Sequence, residues 1–347
     1  YLPYGQPLTE GVTVDLKQGQ MSYSLGTIQY SGITEVTGTA LNDKLTGDSQ
    51  SNYLEGGLGN DTLDGGEGFL DQAGYWSASD SVMVNLETGL SSGADGEDTL
   101  INMEGVIGGN YADTITGNSG FNVLQGRGGD DTIDGGQGYD LANYWWAPGA
   151  VQVSLETGRS AGADGADTLI NMEGILGGKF DDVLTGDTGD NYLAGQGGND
   201  TIVGGAGNDT FTFITGGLSN ADVIEGGAGT DTIRATLGNG TSAPALTGFE
   251  TGRFLFTTTV NNKLDLASNT TGWNGITVSG SAAGTDVELM NVYAAASGLT
   301  LTLDDSTLTD VTLDSVTGSS VTVNVGSASG AVGIGSLDVT DVTTLTV

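Results

Sequence analysis

Aspartate stands at the sixth place of a nine-residue pattern that recurs along this chain. Gly56-Gly57-Leu58-Gly59-Asn60-Asp61-Thr62-Leu63-Asp64 is one copy. Gly204-Gly205-Ala206-Gly207-Asn208-Asp209-Thr210-Phe211-Thr212 and Gly226-Gly227-Ala228-Gly229-Thr230-Asp231-Thr232-Ile233-Arg234 are two more. The pattern reads Gly-Gly-x-Gly-x-Asp-x-apolar-x. Its first six residues suit a tight turn that exposes carbonyls and one carboxylate, because glycine reaches φ > 0 without steric penalty. Its last three suit a short strand with one side chain pointing inward. Carbonyl and carboxylate oxygens are what a hard divalent cation prefers. One such turn cannot fill a coordination shell, whereas two turns stacked on the same side of a repetitive fold can.

The sixth place is held by Asp43, Asp61, Asp113, Asp131, Asp140, Asp182, Asp200, Asp209 and Asp231. Asn52, Asn122 and Asn191 hold it in three further copies, which keeps an oxygen and loses the charge. The turns Gly93–Asp98 and Gly162–Asp167 fit loosely and add Asp95, Asp98, Asp164 and Asp167. The glycines whose carbonyls would line the turns are Gly56, Gly57, Gly59, Gly126, Gly128, Gly135, Gly136, Gly138, Gly195, Gly197, Gly204, Gly205, Gly207, Gly226, Gly227 and Gly229. Leu25 and Ile28 occupy the matching offsets in the first stretch of the chain, and no metal is expected there. The eighth place supplies the expected core: Leu45, Leu54, Leu63, Ile115, Leu124, Ile133, Leu184, Leu193, Ile202, Phe211 and Ile233.

These runs resemble the calcium-binding nonapeptide of the RTX (repeats-in-toxin) family. The resemblance covers roughly residues 38–234. It implies a parallel β-roll, with several Ca2+ ions held between turns about eighteen residues apart. It also implies export through type I secretion, folding in calcium outside the cell, and an extracellular or cell-surface location. A metal-free solenoid, in which the aspartates only cap turns, is the competing reading.

Composition narrows the partners. Forty-four acidic residues face eight basic ones, for a net charge of −36. Nucleic acid and anionic membrane are poor partners for such a surface, and cations are good ones. Cysteine and histidine are absent, which removes disulfides, Cys/His metal sites and histidine-based catalysis. Sixty-two glycines make sense where many backbone positions need φ > 0. Tyr1-Leu2-Pro3-Tyr4 has neither a basic region nor an apolar run, so no signal peptide is expected there. No apolar run is long enough to suggest a membrane span.

The nonapeptides are nested in a longer repeat. Val12-Thr13-Val14-Asp15-Leu16, Val82-Met83-Val84-Asn85-Leu86 and Val151-Gln152-Val153-Ser154-Leu155 alternate as half-buried strands do, and start 70 and 69 residues apart. The fold expected is all-β: a solenoid over 1–240 in three superrepeats (about 1–80, 81–150 and 151–240), then a Thr/Val-rich β region over 241–347. That second region reads as a further β-solenoid or a sandwich. Leu289–Ser297 alone allows a short helix.

Tyr75-Trp76 and Tyr144-Trp145-Trp146 precede two of the amphipathic strands. They read as cover for the roll where metal rungs are interrupted, ahead of a stacking platform for sugar. No catalytic constellation is visible, so the chain is read as a non-enzyme. The leading expectation is a calcium-dependent, surface-layer-like structural protein that self-associates or meets cell-surface polysaccharide. The alternatives are a segment of an adhesin that binds a surface or glycan, and the non-catalytic C-terminal part of a secreted hydrolase or epimerase.

Overall fold

The computed structural model describes residues 8–24, 26–238, 240–257 and 262–269, then the strands and short connections between 272 and 346. Leu25 lies outside the described residues. Every regular element among them is a β-strand. Two compact units divide the chain. The first comprises residues 1–148 and 158–172, and the second 149–157 and 173–347.

In the first unit each nonapeptide contributes one three-residue strand, and successive strands alternate between two parallel sheets. Lys44–Thr46 pairs with Thr62–Asp64, eighteen residues on, so that Leu45 lies beside Leu63. Tyr53–Glu55 pairs with Gln72–Gly74 in the other sheet. A three-residue strand can turn only its middle side chain inward, so the eighth place becomes the core. Leu45, Leu54, Leu63, Ile115, Leu124 and Ile133 are all at most 1% exposed.

The amphipathic strands start each superrepeat and join the first nonapeptide strand in parallel. Val82–Asn85 lies beside Thr114–Thr116, as Thr13–Asp15 does beside Lys44–Thr46. Val82–Asn85 then doubles back, antiparallel, into Leu90–Gly93. The chain continues as Thr99–Ile101, which pairs in parallel with Thr62–Asp64 of the preceding superrepeat. Thr168–Ile170 repeats this move on Thr132–Asp134. Each returning strand therefore completes the copy before its own. This is why residues 158–172 belong to the first unit.

In the second unit the same rungs run on from Val183–Thr185 and Tyr192–Ala194, and then the strands lengthen. Thr232–Leu237 pairs in parallel with Thr251–Phe256, and that with Gly275–Gly280. Longer strands turn more side chains inward, and the core becomes aromatic. Phe211, Phe249, Phe254 and Trp273 are buried. Phe211 meets Phe249 edge-on at 5.0 Å, and Phe249 stacks on Trp273 at 6.2 Å. A third parallel sheet opens with Gly240–Ser242 and continues through Asn262–Asp265, Thr285–Met290 and Leu308–Asp314. All pairings among the described residues beyond Thr232 are parallel, as in a solenoid rather than a sandwich. Leu289 and Met290, where a short helix was allowed, instead end the strand Thr285–Met290. Leu289 is fully buried there, which the strand's alternation provides. Residues 295–297 lie outside the described residues.

Leu124→Ala should cost about 2–5 kcal/mol, the range for deleting a buried leucine side chain. Thr114→Ala, on the exposed face, should stay within about 0.5 kcal/mol. Denaturant melts in saturating calcium check both, and equal losses would contradict a core carried by the eighth place.

Candidate metal centre

The turns fall into two classes, separated by the backbone of their second residue. In one class that residue is left-handed: Gly57 (φ 92°), Gly66 (96°), Arg127 (69°), Gly136 (92°), Gln196 (71°), Gly205 (109°) and Gly227 (114°). In the other it is Thr39, Asp48, Gly109, Asn118, Gly178 or Asp187, none of which has positive φ. There the second residue's N–H points back and donates to the sixth side chain. Gly109 N donates to Asp113 Oδ2, and Gly178 N to Asp182 Oδ2, each at 2.7 Å. Asn118 N donates to Asn122 Oδ1 in the same way, and Asp187 N to Asn191 Oδ1. The asparagines thus occupy turns whose oxygen is already engaged by the backbone. Asn52 receives the Asp48 N–H likewise.

The left-handed turns lack that internal donor. One oxygen of their sixth residue is used between rungs. Asp61 Oδ1 accepts from Asp43 N at 2.7 Å, Asp131 Oδ1 from Asp113 N at 2.7 Å, and Asp200 Oδ1 from Asp182 N at 2.9 Å. Asp140 Oδ1 accepts from Asn122 N, Asp209 Oδ1 from Asn191 N and Asp231 Oδ1 from Asp209 N. The expected spacing of eighteen residues holds for most of these pairs. It widens to 36 or 37 where a returning hairpin intervenes. The second oxygen of Asp61, Asp131, Asp200, Asp209 and Asp231 is buried and has no hydrogen-bond donor.

An anionic oxygen buried without a donor is costly unless a cation meets it. The surroundings supply further oxygens of the right kind. A methyl group added at Gly56, Gly126 or Gly195 would fall on Oδ2 of Asp61, Asp131 or Asp200. One added at Gly204 would fall between Asp209 Oδ2 and the Gly226 carbonyl of the next rung. The carbonyls of Thr39, Asp48, Asn118 and Asp187 crowd Gly57, Gly66, Gly136 and Gly205 in the same manner. Glycine at the first place, and at the second in the turns of Gly57, Gly66, Gly136 and Gly205, is thus required by oxygens that need the space. No three carboxylates or other metal-binding side chains gather at one point among the described residues. A cation held here would take its remaining oxygens from the backbone carbonyls of the turns. Such a set fits calcium, which accepts six to eight oxygens of mixed origin. When bound, such an ion would supply the positive charge that the buried Oδ2 atoms lack.

The remaining expected residues divide. Asp98 is saturated: Oδ1 accepts from Asp61 N at 2.9 Å, and Oδ2 from Tyr75 Oη at 3.1 Å and Ser91 Oγ at 2.8 Å. Asp167 repeats this with Asp131 N, Tyr144 and Ser160. Tyr75 and Tyr144 are therefore buried anchors of the returning hairpins. Asp95 and Asp164 keep a buried Oδ2 without a donor. In Gly126–Gly129 and Gly195–Gly198 the left-handed glycines are Gly129 (φ 129°) and Gly198 (φ 122°). Gly128 and Gly197 instead donate to the carbonyls of Gly109 and Gly178.

Four residues joined the ladders unseen. Asp71 Oδ1 accepts from Asn52 N at 2.7 Å, displaced by the extra residue in its turn. Asp222 Oδ1 accepts from Asp200 N at 2.7 Å. Its signal was the nine-residue step to Asp231, masked by a turn with only Gly217 at the expected place. Glu104 and Glu250 accept from Asp71 N and Asp231 N, and no aspartate pattern marks either.

Burial first, and neighbouring carboxylates after it, raise these acids. Asp131 is pushed to about 8, Asp61, Asp164 and Asp200 to about 7, and Asp95 and Asp209 to about 6. For Asp61, Asp131, Asp200 and Asp209 the backbone hydrogen bond opposes the shift and ranks second to burial. A folded pKa above the unfolded value stabilises the metal-free roll below about pH 4, and that contribution is lost as pH rises through 6–8. Calcium needs the deprotonated form, so protons compete with it. The calcium midpoint for folding should therefore fall as pH rises from 6 to 8, with proton release on titration. A pH-independent midpoint, read by circular dichroism, would contradict the assignment. Asp131→Asn keeps the rung hydrogen bond and loses the charge at the donorless oxygen. It should raise the calcium midpoint several-fold and remove bound ion in calorimetry.

The family of RTX calcium-binding nonapeptide repeats matches the chain in four copies, over residues 37–69, 107–142, 176–211 and 217–241. The last copy takes in the turn of Asp222. No curated protein matches the chain in sequence. The matched stretches contain the left-handed turns, the aspartate ladders and most of the donorless oxygens. Over these stretches the chain carries calcium-binding nonapeptide repeats of the RTX type.

Proposed function

We propose that this chain is an extracellular structural protein that folds when it meets calcium and then assembles in the manner of a surface layer. RTX repeats are typical of secreted bacterial proteins, and the roll itself is structural and non-catalytic. No helix among the described residues is long and apolar enough to cross a membrane.

The observation that carries the reading is the row of buried aspartate oxygens without donors along the turn edges. Ordering each residue's backbone costs roughly 1–2 kcal/mol. One small apolar side chain per nine residues offsets little of it, and crowded carboxylates oppose it. Cation binding is then folding free energy. Extracellular calcium modules work at about 10⁻⁴–10⁻³ M, so the roll stays unfolded until it leaves a low-calcium interior. The acidic outer faces give calcium a second use, as a bridge between neighbouring molecules.

In excess chelator the chain should lack most of its β signal in circular dichroism, and recover it on adding about 5 mM calcium. Electron microscopy of the same sample should then show sheets or filaments that vanish on chelation. A β-rich spectrum in chelator would sink calcium-driven folding. Folded but dispersed particles in calcium would sink assembly, and favour the adhesin segment.

A further inference from the structure

Trp76 and Trp146 are each more than half exposed, at 58% and 57%, although indole is among the most apolar of side chains. Both line one open cleft of about 220 Å³ in the first unit, together with Glu35, Tyr53, Gln72 and Arg127. Glu35, Tyr53 and Gln72 are register partners on adjacent strands, so they form one row on the outer face of a sheet. The cleft therefore joins two indole faces, a phenol, an amide and a carboxylate. That is a mostly aromatic wall with a few oriented polar groups, as in small-ligand sites.

The cleft is built. The segment carrying Trp76 is fixed on both sides, by the buried Tyr75 hydroxyl on Asp98 and by Ser77 N donating to Glu55 Oε1 at 3.0 Å. The Arg127 guanidinium lies 4.2 Å from the Trp76 ring centre and orients it. Arg127 does this from a left-handed backbone position, where the matching turns at Gly57, Gly136, Gly205 and Gly227 have glycine. A non-glycine residue held there is strained, and such strain is often found at binding sites. Gln196 takes the same backbone conformation, so that conformation alone does not call for an arginine. Arg127 Nη1 is also buried without a hydrogen-bond partner. So are both amide atoms of Gln125, which is 1% exposed and lies in register beside Ile107 of the cleft wall.

We propose that this cleft binds a neutral glycan, with one pyranose ring held against the indoles of Trp76 and Trp146 and its hydroxyls taken by Glu35, Tyr53 and Gln72. Charge selects the class. The chain's −36 disfavours a polyanion, and the one arginine of the cleft already faces an indole. A flat ring with an apolar face and a hydroxylated rim suits both wall and row. The cleft is smaller than the ~300–1,000 Å³ that engulfs a drug-sized ligand. One sugar unit therefore enters while the rest of a polysaccharide stays outside.

The inference needs the calcium-folded roll but not assembly, so the two can fail separately. The test titrates the calcium-loaded full chain, kept dilute and dispersed, with maltohexaose, cellohexaose, chitohexaose and trigalacturonate, read by tryptophan fluorescence and calorimetry. At least one neutral hexasaccharide should bind, and trigalacturonate should not. Trp76→Ala and Trp146→Ala should each weaken binding at least tenfold while the calcium-dependent circular dichroism is unchanged. Trp76→Tyr, which keeps an aromatic face, should retain most of it. Binding of none of the neutral sugars, preference for the uronate, or binding indifferent to both alanine variants would overturn the proposal.

Discussion

The aspartate carboxylate of the left-handed turn faces two ways, and the fold depends on that division. One oxygen accepts the backbone N–H of the neighbouring rung, as Asp131 Oδ1 does from Asp113, and so sets the stacking register. The other is buried beside carbonyls with no donor in reach. A left-handed turn cannot therefore be stacked in this way without burying an oxygen that no donor meets. The hydrogen bond that positions the strand and the charge that demands a cation belong to one side chain. Under the proposed calcium-driven folding, stability and calcium occupancy would be a single variable rather than two.

The alternation of turn classes follows. A capped turn, such as that of Asp113 or Asn122, closes on itself through its second N–H. A left-handed turn opens its carbonyls instead and leaves Oδ2 bare. Stacking one on the other places a self-contained turn against an open one, except where the open turns of Gly205 and Gly227 stack on each other. Asparagine is tolerated where the turn is capped, because a single oxygen does the work there. Beyond Thr232 the chain uses another source of cohesion. Six-residue strands and the Phe211, Phe249, Phe254 and Trp273 cluster bury enough apolar surface that the glycine–aspartate turns cease.

Period carried most of what the sequence revealed. Leu45, Leu124 and Ile202 were readable as core because the nine-residue step places one inward side chain per strand. The eighteen-residue pairing followed from alternation between two sheets. What escaped was non-local or hidden by side chains. Gly93–Asp98 resembled one more turn of the roll. Its Asp98 instead anchors a hairpin whose strand Thr99–Ile101 pairs 37 residues back. Arg127 and Gln196 adopt a glycine conformation that their identity conceals. Asp71 and Asp222 sit in turns whose spacing or glycine content had drifted, and the third sheet that opens at Gly240 had no periodic signal distinct from its neighbours.

The returning strands Thr99–Ile101 and Thr168–Ile170 have a consequence for how such a chain can change length. Each is encoded in one superrepeat and laid in the sheet of the one before, so sequence copies and structural copies are out of phase, like overlapping tiles. Duplicating a stretch of about seventy residues inserts a segment whose trailing roll is completed by the next copy, and whose leading hairpin completes the last. Neither the start nor the end of the array is disturbed. Excision at a sequence boundary, by contrast, strips a strand from the surviving neighbour. Growth by internal duplication is thus structurally neutral in this architecture, while fragmentation is not.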